Sequence, residues 1–393
     1  MKFPIFLACM AAGCMLAAAD FRGSELFDRN RIVPEGMGVN IHFFDHESGM
    51  DALKSLDMRW LRMDITWDRV EREKGVYDFS QVDKLMNDAK ARGLRVLAII
   101  DYANKLYEPE QKVISEAGRR AYSAYAAALV RRYAGHDVIW EIWNEPNNSG
   151  FWPGNDPGEY MELVKAAVPA MREADPQAVI LGPSAYRVAP EYMEACFKAG
   201  LFDYVDAVSF HPYRRHRPEE VLDDVAVLRE LMRKYRGPGR ELPPIVCSEW
   251  GFSATQHDGE NGQALRVPRA ALLSLMAGID LYIYYDLWND GGDATNSEHN
   301  YGLFTSPPFL MEKPAAVALK TVAKALAGFR FSRRIGAEEN PNRFLLEFVS
   351  SSGEKRYAHW SDDEKEHEWR IPAGFGMFSR VTMTGQKRIG VYR

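Results

Sequence analysis

Two stretches of this chain hold residues whose type and setting suit acid–base or nucleophilic chemistry. In "VIWEIWNEPN", residues 138–147, an apolar run carries Glu141 and Glu145 and stops at Pro146. In "PPIVCSEW", residues 243–250, another apolar run ends on Glu249 and Trp250. A carboxylate is costly in a core unless it is paired or used. Two carboxyl groups facing each other across a cleft can cleave a glycosidic bond. One protonates the leaving oxygen and the other attacks the anomeric carbon.

Strand geometry separates the two glutamates of the first stretch. Side chains alternate along a strand, so Glu141 and Glu145 face the same way, roughly 13 Å apart. Pro146 cannot continue a central strand, which puts Glu145 at the rim. Glu141 then lies deep, as a buried structural acid that needs a base such as Arg62.

The elements that position these residues repeat along the chain. Apolar runs at 36–43, 58–65, 94–101, 138–145, 178–185, 204–213, 244–252 and 279–288 read as strands. Helical patterns separate them, most clearly at 79–92, 116–133, 159–174 and 218–235, and one at 313–329 follows the last. This alternation predicts an α/β chain folded as a (β/α)8 TIM barrel. A doubly wound sheet would show a Gly-rich turn after its first strand, where this chain has Phe44-Asp45-His46-Glu47. Beyond residue 329 the pattern turns to short strands, at 344–349, 355–360, 366–371 and 378–384, a small C-terminal β appendage. Residues 21–34 are open to joining it as a further strand. The expected organisation is a signal peptide at 1–19, a barrel at 20–329 and a small β-strand domain at 330–393.

In such a barrel the active site lies at the C-terminal ends of the strands. Those ends are rich in polar and aromatic residues, among them Arg62, Tyr102, Asn144, Glu145, His211, Tyr213, Glu249 and Trp288. Opposite one another in an eight-stranded ring, the fourth and seventh strands bring Glu145 and Glu249 face to face.

The 393 residues hold 46% hydrophobic residues, ordinary for a globular protein, and a formal charge of −6 argues against a nucleic-acid partner. Lys2, the apolar run 5–18 and Ala17-Ala18-Ala19 read as an export signal, which places the protein outside the cytoplasm, secreted or periplasmic. Cys14 after Ala-Ala-Gly offers a lipid anchor instead. No later stretch is long and apolar enough for a membrane helix. Cys196 and Cys247 lie in a helical and a strand pattern and read as inert buried thiols. The histidines lack His-x-x-x-His spacing, there is no Gly-x-Ser-x-Gly, and Asn289, Asp290 and Asp293 fit no calcium loop. No metal or cofactor is expected.

"WEIWNEPN" followed about a hundred residues later by "SEWGF" resembles the clan of retaining (β/α)8 glycoside hydrolases. With "GVNIHF", "RWLRMDITWDRVEREKGVYDF", "SFHPY" and "YYDLWNDGG", the likeness is closest to glycoside hydrolase family 39 and its bacterial exopolysaccharide-cleaving relatives. It covers residues 36–329. The resemblance implies Glu145 as acid/base and Glu249 as nucleophile. Asn144 matches the residue that binds the sugar 2-hydroxyl, and Arg62 the arginine that keeps the nucleophile ionised. His211 and Tyr213 match the pair on strand six, and Trp288 the aromatic floor of the sugar site. The implied cycle has two steps: Glu249 forms a glycosyl ester while Glu145 gives its proton, and Glu145 then activates water.

Exposed aromatic faces suit sugar rings, so Tyr102, Tyr107, Trp67 and above all Trp152 are candidate subsite platforms. The expected substrate is a carbohydrate, a β-linked polysaccharide or oligosaccharide cut endo-wise. Two other readings stay open on these residues: a carbohydrate-binding barrel that has lost activity, and a transglycosylase that uses the same site.

Overall fold

The computed structural model describes residues 22–213, 217–256, 258–362, 376–383 and 387–392, the strand segments of the last two ranges by backbone alone. Eight parallel strands close into a barrel: β1 Met37–Asn40, β2 Trp60–Thr66, β3 Arg95–Asp101, β4 Val138–Ile142, β5 Ile180–Tyr186, β6 Ala207–His211, β7 Ile245–Trp250 and β8 Leu281–Tyr284. The ring closes by pairing β1 with β8, Gly38 opposite Ile283. Ten helices lie among the described residues: α1 Ser24–Asn30, α2 Glu47–Ser55, α3 Trp67–Val70, α4 Ser80–Ala91, α5 Glu116–Arg132, α6 Pro157–Ala174, α7 Pro190–Lys198, α8 Val221–Arg236, α9 Gly259–Met276 and α10 Pro314–Ala325.

Strand alternation divides the apolar residues into two cores. One set points into the barrel and packs as Trp60, Leu97, Ile99, Ile139, Leu181, Val246 and Ile283, with Phe27 of α1 plugging the bottom. Gly38 makes this possible, since a Cβ there would stand 2.5 Å from the Cβ of Trp60 and 2.6 Å from Ile283 Cδ1. The other set points outward against the helices, with Tyr122 and Tyr125 of α5 donating hydroxyl hydrogens to the carbonyls of Ile100 and Ile65. With both cores filled, the polar strand ends are confined to the upper mouth.

The barrel and its eight strands agree with the reading of the sequence, but several strands end earlier than expected. β1 stops at Asn40, β4 at Ile142 and β8 at Tyr284. Pairing fails at the mouth because the chain turns there: Trp143 has φ 68° and Glu145 φ 47°. Of the expected stretch 21–34, the described residues 22–34 add no strand. They form α1 under the barrel, and only Ile32 makes an isolated bridge, to Arg330. The helix expected to reach residue 329 ends at Ala325, where Gly328 at φ 83° turns the chain into β9 Phe329–Arg334.

β9, β10 Arg343–Ser350 and β11 Lys355–Ser361 form an antiparallel sheet, and β12 Gly376–Val381 pairs with β13 Lys387–Tyr392. The sheet is tied to the barrel through Trp360, whose indole N–H donates to Glu219 at 2.8 Å, itself bound to Arg269 of α9. The expected strand at 366–371, the leader at 1–19 and the anchor site at Cys14 lie outside the described residues.

Candidate active site

Arg62 sits inside the top of β2, 1% exposed. Its Nε and Nη2 donate to Glu141 Oε2 at 3.2 and 3.1 Å, Nη1 to Asn40 Oδ1 at 3.1 Å and Glu249 Oε2 at 2.7 Å, and Nη2 also to Asn144 Oδ1 at 2.9 Å. Each of the five guanidinium N–H groups therefore has a partner, the condition for keeping this cation in a core. Burial opposes its charge, but Glu141, then Glu249 and Asp64, outweigh it and hold its pKa above the ordinary arginine value. Glu141 is fully buried and pairs with Arg62, the structural partner that its depth required.

Glu249 is the penultimate residue of β7. The register against β8 shifts between Cys247 and Trp250, which turns this end of the strand. Arg62 binds its Oε2, and Tyr213 donates its hydroxyl hydrogen to Oε1 at 2.6 Å. Burial and the adjacent Glu249 raise the Tyr213 hydroxyl's pKa well above its ordinary value, so it stays a donor.

Glu145 lies past the end of β4, so alternation along the strand does not aim it. Two left-handed residues do, Trp143 and Glu145 itself, a conformation costing on the order of 1–3 kcal/mol for a non-glycine residue. The turn is held by the Glu145 N–H donating to the Ser184 carbonyl at 3.1 Å. His211 Nδ1 lies 2.8 Å from Glu145 Oε1, and Asn148 donates to Oε2 at 2.9 Å. The hydroxyls of Ser184 and Ser248 flank His211 Nε2 at 3.0 and 3.1 Å, leaving Nδ1 to face the carboxyl. One oxygen of Glu145, one of Glu249 and a nitrogen of His211 lie within 4.8 Å of one another.

Asn144 accepts from Arg62 through its carbonyl oxygen, which leaves the amide hydrogens on the side of Tyr102. Tyr102, half-buried beyond β3, stacks on Phe151 at 5.7 Å and meets Trp143 edge-on at 5.6 Å. Of the expected residues, the structure thus gathers Arg62, Tyr102, Asn144, Glu145, His211, Tyr213 and Glu249.

Two of the expected aromatic platforms, Trp152 and Trp67, are buried in the fold. Trp152 is fully buried, meets Trp143 edge-on at 4.9 Å and donates its indole N–H to Glu159 of α6, so it anchors a loop and offers no face to a sugar. Trp67 is buried in the same manner, bound to Glu71. Trp288 stands beyond the end of β8, stacked on Phe43 at 4.5 Å and edge-on to His46 at 4.9 Å, where it joins the β1 and β8 loops.

The aromatic residue that follows β8 directly is Tyr285, which the sequence reading missed. Its ring lies 5.4 Å from both His42 and Tyr301, and Tyr301 in turn is 6.3 Å from Tyr213. Burial, then Glu249, raises the Tyr285 hydroxyl's pKa, which puts it in the field of that carboxylate. His42 accepts from Asn40 at Nε2, 2.9 Å, and lies 3.1 Å from Asp290 through Nδ1. Asp286 is buried beside them, its pKa raised by desolvation and then by Asp290. The signal for these residues was the run "IYYDLWND", whose strand end was placed too late.

Among the described residues, two groups offer atoms close enough together for a cation: His42, Asp286 and Asp290, and the pair Glu145 and Glu249 with His211. In both, the histidine nitrogen already lies within hydrogen-bonding distance of a carboxylate of its own group. Cys196 and Cys247 are buried free thiols, and burial raises the pKa of each. No described helix is long and apolar enough to cross a membrane.

The sequence matches the cellulase (glycosyl hydrolase family 5) family over residues 23–291. A β-xylosidase of Caldicellulosiruptor saccharolyticus is 32% identical over 165 residues, 39% of this chain and 32% of that protein. A β-xylosidase of Geobacillus stearothermophilus is 26% identical over 249 residues, 55% of this chain and 49% of that protein. The chain thus spans about a third and about half of the length of these curated relatives. Among solved structures, a family 39 glycoside hydrolase from Bacteroides cellulosilyticus WH2 superposes with a TM-score of 0.75 at 22% identity, covering 89% of this chain and 73% of the other. A monomeric β-xylosidase from Caulobacter crescentus CB15 gives 0.61 at 20% identity, covering 80% of this chain and 73% of the other. At such identity these two speak for the fold.

Proposed function

The chain belongs to the cellulase (glycosyl hydrolase family 5) family, and from that premise we propose that it is a retaining glycoside hydrolase acting on a β-linked polysaccharide or oligosaccharide. The observation that carries the reading is the pairing of Glu145 with Glu249, one oxygen of each within 4.8 Å of the other. A retaining site has its carboxyl groups about 5–5.5 Å apart, whereas an inverting one leaves about 6.5–9.5 Å for a water.

The two carboxyls are held for different tasks. Glu249 receives one hydrogen bond on each oxygen, from Arg62 and Tyr213, which fixes the carboxyl group and aims it at the anomeric carbon. Glu145 is bound by His211 and Asn148 and gives its proton to the leaving oxygen as Glu249 attacks. Glu249 is then esterified to the sugar. Glu145, now ionised, takes a proton from water, and the hydroxide displaces Glu249 on the opposite face. Asn144, its carbonyl oxygen held by Arg62, offers its amide to the 2-hydroxyl, a bond that strengthens in the transition state. Tyr285, beside Glu249, takes the role of aromatic floor that Trp288 was expected to fill.

Endo action is part of the proposal. Trp152 no longer supports it, and Tyr107 has its hydroxyl tied to Glu71 at 2.5 Å. What supports it is a cavity of about 370 Å³ that continues from His42 and Phe43 along the β1 loop, room for the chain beyond the cleaved sugar. Export from the cytoplasm belongs to the same reading and rests on the leader-like residues 1–19.

The test is a screen of wild type, Glu145→Gln and Glu249→Gln against β-glucan, xylan, mannan, galactan and bacterial exopolysaccharides. Cleavage by wild type and collapse in both variants is expected. Near-full activity of either variant on the cleaved substrate would overturn the assignment.

A further inference from the structure

The cavity beside the β1 loop has a character unlike the rest of the mouth. Its walls are His42, Phe43 and Asp45 on one side and Arg69, Ser80 and Lys84, from α3 and α4, on the other. At about 370 Å³ it falls within the usual range for small-ligand sites, about 300–1,000 Å³. Arg69 is exposed and has no hydrogen-bond or ion-pair partner among the described residues. Lys84 binds Asp88 at 2.6 Å and reaches Asp45 at 3.5 Å.

The catalytic mouth next to it is acidic. Asp290, Asp64 and Glu249 all act on His42. Glu298, on the loop after β8, is affected first by burial and then by Glu249, Asp290 and Glu145, which raise its pKa. A carboxylated sugar at the cleaved position would meet these like charges. In the neighbouring cavity it would meet an unpartnered guanidinium, whose planar fork matches a carboxylate.

Position sets which side of the scissile bond this is. The leaving sugar lies toward Glu145 after β4, the residue that protonates its oxygen. The cavity opens from His42 and Phe43 after β1, on the glycone side.

We propose that this cavity is a glycone-side subsite for a sugar bearing a carboxylate, with Arg69 as anchor and Lys84 as second cation. The assignment of sides rests on the hydrolase reading above. The substrate class that follows is an acidic heteropolysaccharide with a neutral sugar at the cleaved bond and a uronic acid, or a carboxylated substituent, next to it. Asp45 limits Lys84 and weakens the site. Ser80 supplies a neutral hydroxyl for sugar hydroxyls, and Phe43 an apolar ring at the wall.

Calorimetric binding to two probe pairs tests this: cellobiouronic acid against cellobiose, and glucuronosyl-β-1,3-galactose against glucosyl-β-1,3-galactose. Within each pair the members differ in carboxylates. The acidic member of at least one pair should bind wild type about tenfold tighter than its neutral partner, the scale of one charge-assisted hydrogen bond, and less so at high salt. Arg69→Gln should remove that preference without changing turnover of a 4-nitrophenyl glycoside panel. Lys84→Gln should reduce it, and Asp45→Asn should increase it. Equal or tighter neutral binding in both pairs, no acidic binding at all, or a preference that survives Arg69→Gln overturns the proposal. Hydrolysis is scored separately. A chain that prefers the acids but cleaves nothing would keep the subsite and sink the hydrolase reading. A chain that cleaves glycosides without the preference would do the reverse.

Discussion

Arg62 donates to Glu141 at 3.1 Å and to Glu249 at 2.7 Å, so one buried guanidinium joins an acid inside the barrel to an acid at its mouth. The deep carboxylate balances the cation, and the cation positions the carboxylate at the mouth.

That linkage makes Glu141 matter without touching substrate. Glu141→Gln leaves a buried arginine with one fewer counter-charge, and breaking such a pair costs about 3–5 kcal/mol. Urea unfolding should show a loss of that order, and kcat should fall as Glu249 loses its fixed setting. A variant with wild-type stability would contradict the role of Arg62 as a charge-balanced hub.

Tyr213→Phe removes the hydrogen bond to Glu249 Oε1 and little else. A bond to a charged group is worth about 1.5–3 kcal/mol, which corresponds to a fall in kcat of roughly 10- to 100-fold if it is needed in the transition state. Steady-state kinetics should show KM nearly unchanged. A rise in KM at constant kcat would instead make Tyr213 a binding residue.

Glu145→Ala separates acid catalysis from nucleophilic attack. Glycosides with a dinitrophenyl leaving group need no proton, so their first step should survive while natural substrates are lost. Added azide, a nucleophile that needs no base, should displace Glu249 from the glycosyl ester and yield a glycosyl azide of retained configuration. Equal losses on both kinds of substrate would remove Glu145 from the acid role.

Asp101 supplies a pH test of stability. Its carboxyl is buried, and desolvation, then the neighbouring Asp64, raises its pKa well above the model-compound value of 3.8. A raised folded-state pKa means that the folded chain holds the proton more tightly than the unfolded one. The stabilisation is complete below 3.8 and is lost as pH rises through the folded-state value. Asp101→Asn, which stays neutral, should therefore gain on wild type in thermal unfolding as pH is raised, with the smallest difference in acid. A constant difference across pH would contradict this.

How far the site was legible can be argued residue by residue. Glu145 and Glu249 stood out because each closes an apolar run, and Pro146 marked the end of pairing. Arg62 was legible as a charge inside a core strand, which must find a counter-charge. Tyr285 was not, because the aromatic run around it gives no sign of where β8 stops pairing. Trp152 misled, since its burial depends on Trp143 and on Glu159 of α6, contacts made only in the fold. The barrel itself was legible from the alternation of periods, while α9, with Pro268 inside it, was not among the clearest helical patterns.

The two aromatic residues beyond β8 give their own comparison. Tyr285→Ala should lower kcat/KM far more than Trp288→Ala, because Tyr285 lies in the field of Glu249 whereas Trp288 holds two loops together. The reverse order in steady-state assays would restore Trp288 to the sugar site.

In the proposed mechanism Glu249 becomes bonded to the sugar. Incubation with 2,4-dinitrophenyl 2-deoxy-2-fluoro-β-glycosides of glucose, xylose, mannose and galactose, followed by peptide mass spectrometry, tests it most directly. The expected result is the mass of one fluoroglycosyl group on the peptide containing Glu249, still formed in Glu145→Gln and absent in Glu249→Gln. A label on any other residue, or inverted product from the natural substrate with no label at all, would contradict it.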